Sequence, residues 1–168
     1  LLALLVLIVI IVIGAAVFLR HLATRAIPDY NRNLSLTGLH APVEVYRDSL
    51  AIPHVYARDE HDLYLAVGYL LAEDRLWQMD LLRRVTTGRL SEIFGDKYVD
   101  TDLLLRALRF GEKSEKILAS TDPASREALE AFAEGVNQYM KQNAKKLPPE
   151  FTILGYTPEP WEPKHSLN

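Results

Sequence analysis

VEVYRDSLAIPHVYARDEHDLYLAVGYLLAEDRLWQMDLLRRVTTGRLSEIFG, residues Val43 to Gly95, is the stretch that organises the rest of the chain. It opens on a candidate strand at Val43, Val45 and Tyr46, passes through Arg47-Asp48 into a short turn, and resumes as Ile52-Pro53-His54-Val55-Tyr56-Ala57. Pro53 fixes its own φ and drives Ile52 toward extended geometry, so a second strand starts there and the segment reads as a hairpin. From Asp59 the period changes. Asp59 or Asp62 can cap a helix in which Leu63, Ala66, Val67, Leu70 and Leu71 recur at i, i+3, i+4, i+7 and i+8. Tyr64, Leu65, Tyr69 and Ala72 fill most of the remaining circumference, which predicts a helix covered on nearly all sides. Gly68 in its middle costs about 1 kcal/mol relative to alanine, which points to another backbone passing close by.

A second helix follows at Glu73-Asp74-Arg75-Leu76-Trp77-Gln78-Met79-Asp80-Leu81-Leu82-Arg83-Arg84. Charge and apolar bulk share its faces instead of separating, as they would on a surface helix. Asp80 and Arg84 stand at i, i+4, and if buried they need each other, since an unpaired interior ion costs several kcal/mol. The reading is a structural network of Asp74, Asp80, Arg75 and Arg84 that locks helices together, in preference to a catalytic set. Gly88 ends the helix as a C′ residue.

Outside this block, Leu1 to Leu19 is uncharged and Leu-, Ile- and Val-rich, long enough to span a hydrocarbon core of roughly 30 Å. Signal-peptide cores run only about 7–15 residues, so an uncleaved anchor is favoured over a long signal sequence. Arg20 and Arg25 taken alone would place the following chain in the cytoplasm. Residues 20–42, with Pro28, Gly38 and Pro42, read as a tether carrying no chemistry. A net charge of −3 without a basic cluster argues against nucleic acid as a partner, and the absence of cysteine excludes a thiolate nucleophile or ligand. The chain starts at Leu1 and stops at Asn168, just after a Trp-Glu-Pro turn signal, and reads as a fragment.

Beyond Gly95, Asp100 or Thr101 caps a third helix from Asp102 to about Phe110 with a Leu103, Leu104, Ala107, Leu108 stripe; Gly111 interrupts it and Glu112 to Leu118 continues. Asp122-Pro123 is a helix start, and Leu129, Phe132, Ala133, Val136 and Met140 form its apolar face. Pro149, Pro158, Pro160 and Pro163 preclude regular helix after Leu147. A search for chemistry finds little. The five histidines, 21, 40, 54, 61 and 165, never pair at helical spacing, which excludes a helical metal site, and no nucleophile elbow or phosphate loop is present. His54 is the one tempting base, and after proline on a strand it reads as an interior, hydrogen-bonded histidine. Glu92 reads as an ion-pair partner.

The ordered run of Arg47-Asp48, Ile52-Pro53-His54-Val55-Tyr56-Ala57, Asp62-Leu63, Gly68-Tyr69, Ala72 to Met79, Arg83-Arg84, Gly88 to Glu92 and Gly95 resembles the N-terminal, α-subunit part of the penicillin acylase family of N-terminal nucleophile hydrolases. That family includes acyl-homoserine lactone acylases. Phe132 to Met140 and Leu147 to Pro163 extend the resemblance to residues 43–168. Ala51 departs from it, standing where the family usually has glycine before the apolar-Pro-His, and suggests a turn that needs no positive φ. The resemblance implies an α/β protein, the layered αββα sandwich, of which this portion is mainly helical with a short β-hairpin behind a transmembrane helix. It also implies a self-cutting precursor that hydrolyses the amide of an N-acylated small molecule. By the same resemblance the nucleophile is the first residue of a downstream β-subunit, and its own α-amine, with a pKa of about 8, is the base. Export to the periplasm or cell exterior follows from the same resemblance, as does calcium in the full-length enzyme, with a ligating carboxylate downstream of Trp161. No catalytic, substrate-binding or metal residue falls within residues 1–168. Arg47, Asp48, Pro53, His54, Asp74, Arg75, Gln78, Arg84 and Gly88 belong to its structural motif. The alternative from another class is a membrane-anchored, non-enzymatic module that binds a partner through the apolar helix at Leu63 to Ala72.

Overall fold

Asp59 opens the longest helix in the computed structural model, which describes residues 2–168. With extended backbone geometry and a carboxylate that accepts from the Asp62 N–H at 2.8 Å, it caps helix α2, Glu60–Thr87. Gly88 closes α2 in the left-handed region at φ 63°, donating its N–H back to the carbonyls of Arg84 and Val85. The two helices expected between Asp59 and Gly88 run end to end within α2 and meet at a kink at Arg75 (φ −141°, ψ 16°), directly after Glu73 and Asp74.

The buried face of α2 also differs from the expected stripe. Leu65, Ala66, Tyr69, Ala72, Leu76 and Met79 turn inward, whereas Leu71 is 41% exposed and Tyr64 is exposed as well. A segment that is apolar nearly all round leaves its inner side to be chosen by its neighbour, and that neighbour is helix α6, Pro123–Gln142. Asp122 caps α6 by accepting from Ser125 N–H, with Pro123 in the first turn. The two helices meet backbone to backbone. A Cβ added at Gly68 would lie 2.1 Å from the Phe132 carbonyl oxygen, and one at Gly135 would lie 2.0 Å from the Leu65 carbonyl oxygen. Around this crossing Tyr69, Ala72, Leu76, Met79, Ala133 and Val136 form the core, joined by Tyr139, Leu147, Phe151 and Trp161.

Upstream of α2 stand helix α1, Leu2–Thr24, and the hairpin of β1, Glu44–Arg47, and β2, Pro53–Tyr56, antiparallel with Val45 opposite Val55 and Arg47 opposite Pro53. The Asp48 carboxylate accepts from Leu50 N–H and Ile52 N–H to shape the turn. Ala51 sits at φ 61°, so the turn does use a positive φ and alanine bears the strain that glycine would avoid. Helix α1 is long and apolar enough to cross a membrane by length and composition, and it runs five residues past Leu19; Leu1 lies outside the described residues. The segment read as a tether is bound to the body in its second half. Gln138 accepts from Thr37 N–H and Gln142 donates to the Ser35 carbonyl.

After α2 come α3 (Ser91–Phe94), α4 (Val99–Ala107), α5 (Phe110–Ser120) and, past α6, α7 (Pro149–Ile153). Helix α4 starts earlier than expected and without a side-chain cap; its Leu103 and Leu104 are 61% and 65% exposed, while Asp102 is buried. Asp102 turns inward because its carboxylate accepts from the N–H groups of Leu90 and Ser91, at 2.8 Å each, in the chain just past Gly88. The break before α5 falls at Arg109, φ 57°, and Gly111 lies inside that helix. Proline does not abolish helix beyond Leu147 either: Pro149 takes the first turn of α7, where its missing N–H has no partner to lose.

Candidate functional site

Helix α2 presents three successive clusters of charge, each tying it to a different segment. The first is at its N-terminus. Asp62, fully buried, accepts from the backbone N–H groups of His40 and Ala41 at 2.9 Å each, and the His61 Nδ1 lies 3.3 Å from the same carboxylate. His40 Nδ1 stands 3.0 Å from Asp59, whose carboxylate holds the imidazole pKa above its ordinary value. The second cluster is midway. Glu73 is buried and pairs with Arg32 at 2.9 Å and Arg47 at 3.3 Å, while Arg47 reaches Asp74 at 2.9 Å and lies over the ring of Tyr30. The Tyr30 hydroxyl donates to Asp74 at 3.0 Å.

The third cluster is the most buried. Asp80 accepts from Arg83, from Arg84 Nε at 3.0 Å and from the Tyr156 hydroxyl at 2.9 Å. Burial, then the bond to Asp80, raises the Tyr156 pKa and keeps the phenol protonated. Arg84 continues to Glu92 at 2.7 Å, Arg89 bridges Glu92 and Glu159, and the Arg89 bond holds Glu159 down to about 2. Arg83 donates to the carbonyls of Pro160 and Glu159, closing the C-terminal loop over the helix.

His165 completes this third cluster. Its Nδ1 accepts from Glu162 N–H at 2.9 Å, and burial together with the Arg83 charge lowers its pKa from 6.5 to about 4. The folded value lies below the unfolded one, so the unfolded chain binds this proton more tightly. The stabilisation is complete above about 6.5 and is lost as pH falls toward about 4. The melting temperature of the full-length protein is expected to fall more steeply between pH 6.5 and pH 5 than that of His165→Gln; parallel slopes refute the assignment.

The structure places the sequence-selected residues as follows. Arg47 and Asp74 meet; Asp48 shapes the hairpin turn and Pro53 starts β2. Arg84 binds Asp80 and Glu92, and Gly88 packs against the Asp102 carbonyl. Arg75 and Gln78 face outward, and Arg75 makes no ion pair among the described residues. His54 is not interior: its side chain is 54% exposed and 3.5 Å from Asp48, because β2 is an edge with nothing over that face. Sequence reasoning did not select Arg83, Glu73, Tyr156, Glu159 or the His40–His61 group. Apart from the Arg83–Asp80 and His61–Asp62 contacts, their partners are distant in sequence, and only the mixture of charge with apolar residues along α2 hinted at them. These clusters bind distant segments of the chain to one another, and among the described residues no hydroxyl is hydrogen-bonded to a histidine.

This arrangement, a capped and glycine-crossed α2 stitched by ions to a hairpin and a C-terminal loop, coincides with a family assignment. The family model for penicillin amidase matches residues 42–168. The chain belongs to the penicillin amidase family. Penicillin acylase 2 proenzyme of Pseudomonas sp. (strain SE83) is 39% identical over 148 residues, 88% of this chain and 19% of that protein. Acyl-homoserine lactone acylase QuiP of Pseudomonas fluorescens (strain Pf0-1) is 35% identical over 131 residues, 78% of this chain and 16% of that protein. The thermostable penicillin G acylase from Alcaligenes faecalis superposes with a TM-score of 0.68 at 32% identity, covering 74% of this chain and 68% of that one. This penicillin amidase family chain thus spans less than a fifth of the curated relatives just named.

Proposed function

We propose that the full-length protein is a hydrolase that cleaves the amide bond of N-acylated small molecules, and that residues 43–168 are the N-terminal scaffold of its α-subunit. The observation that supports this most directly is the match of residues 42–168 to the penicillin amidase family, together with 39% identity to a proenzyme whose name states penicillin acylase. In this reading the nucleophile is the N-terminal residue of a β-subunit cut from the same precursor. Its α-amine takes the hydroxyl proton as the acyl carbonyl is attacked, and fixed N–H donors hold the oxyanion. The hairpin joins a sheet completed by the β-subunit, giving an αββα sandwich. The exposed Leu50, Ile52, Leu103 and Leu104 are the surfaces that this subunit covers. Helix α1 anchors the domain to the membrane and places it in the periplasm or outside the cell. In this reading the full-length enzyme also holds calcium through a carboxylate downstream of Trp161; Glu159 and Glu162, which flank Trp161, pair with Arg89 and Lys164.

The alternative of a non-enzymatic module binding through Leu63 to Ala72 is disfavoured by packing. Leu65, Ala66, Tyr69 and Ala72 are already buried, and α6 crosses this face of the helix. Expression of the full-length protein followed by intact-mass measurement tests the proposal, alongside amine release from aryl-acetyl amides, N-acyl homoserine lactones and aliphatic amides. Two chains and turnover of at least one class are expected. A single uncut chain that turns over none of them overturns it.

A further inference from the structure

His40 and His61 are 21 positions apart, yet the loop before the hairpin lays one imidazole on the other, with centroids 4.6 Å apart and planes 23° from parallel. Asp59 and Asp62 stand beside them, and one ligand atom from each of the four residues lies within 4.8 Å of every other. The pairs that bear on geometry are His40 Nδ1 to Asp59 Oδ2 at 3.0 Å, His40 Nδ1 to Asp62 Oδ1 at 3.8 Å and His61 Nδ1 to Asp62 Oδ1 at 3.3 Å. Tetrahedral coordination with metal–ligand bonds of about 2.05 Å separates its ligands by about 3.4 Å, which these three pairs bracket, while the remaining pairs lie within 4.8 Å.

The geometry points to a structural site for a zinc-class divalent transition-metal ion at His40, Asp59, His61 and Asp62. Each residue retains the lone pair that this requires. Asp59 uses Oδ1 to cap α2 and keeps Oδ2, and Asp62 Oδ1 accepts one backbone N–H and has a second lone pair. Two carboxylates neutralise a divalent charge, and neutral imidazoles favour zinc over the oxygen-seeking calcium and magnesium. Four protein ligands leave no open position, so the ion is a clamp and not a reaction centre. It cross-links the segment before the hairpin to the first turn of α2, where Asp62 already holds the N–H groups of His40 and Ala41. The inference stands on these four residues and does not depend on the amidase reading.

The test uses full-length protein stripped with chelator and titrated with zinc against a chromophoric competitor in excess calcium, which occupies any oxygen-ligand site. Tight uptake of one zinc per molecule is expected, together with a rise in melting temperature. Affinity falls at least tenfold in His40→Gln and in His61→Gln, whose melting temperatures in chelator match wild type. Asp62 is left intact because it supports two backbone N–H groups. No uptake, or uptake unchanged in both variants, overturns the site. If either variant fails to fold, cobalt substitution of the wild type decides: intense visible bands of a tetrahedral ion support the site, and only the weak bands of an octahedral ion overturn it.

Discussion

Asp80→Ala is expected to remove the full-length protein from the folded, soluble fraction. The carboxylate is buried and accepts from Arg83, Arg84 and Tyr156, and the two guanidinium groups are themselves only 3% and 6% exposed. Removing one member of a buried pair costs about 3–5 kcal/mol, because the remaining charge has neither partner nor water. Arg84 keeps Glu92, and Arg83 keeps the carbonyls of Glu159 and Pro160, which places the cost toward the lower end. Against a total stability of about 5–15 kcal/mol this is still a large fraction. Asp80→Asn retains an acceptor and loses the charge, so an intermediate effect is expected. Urea midpoints and soluble yield read the series. A loss below about 1 kcal/mol for Asp80→Ala refutes a structural role, and normal yield with abolished turnover reassigns the residue to catalysis.

Gly68→Ala and Gly135→Ala are expected to destabilise strongly although alanine is the better helix former. Each new Cβ would meet a carbonyl oxygen of the opposing helix, at 2.1 Å and 2.0 Å respectively, and a backbone atom cannot move aside by changing rotamer. The helices must separate, loosening the core of Tyr69, Ala72, Ala133 and Val136, at the upper end of the about 1–3 kcal/mol typical of overpacking or beyond it. Gly111→Ala is the internal control. It is helical with nothing within 4 Å of its Cβ position, so a gain of about 0.5–1 kcal/mol is expected. Equal effects at Gly68, Gly135 and Gly111 in chemical denaturation would show that the crossing is not close.

The two outcomes rest on features that were unequally legible. The mid-helix Gly68 announced a close backbone, but not that the backbone was α6 or that Gly135 answers it. The Asp80–Arg84 pair was visible at i, i+4, whereas Tyr156, 76 positions away, was not. Ala51 misled: a non-glycine residue argued for negative φ, and the Asp48 carboxylate and the Arg47 bond to the Ala51 carbonyl hold it at φ 61° all the same. His54 misled for a related reason, since a strand residue is interior only when another layer covers its face.

The amino-acid order by itself determined what depends on near neighbours in the chain: a cap at Asp59 or Asp62, of which the structure uses Asp59, the cap at Asp122, the left-handed stop at Gly88, the hairpin around Pro53 and the unbroken apolar run of α1. The caps and the stop follow from hydrogen bonds spanning three to five residues, the hairpin from its turn, and the apolar run from composition alone. Only the tertiary structure decided which side of α2 faces inward, which cations receive Glu73 and Asp80, and that His40 meets His61. A nearly all-apolar helix has no preferred face until a partner docks, and an ion's partner is set by distance in space, which its position in the chain does not specify.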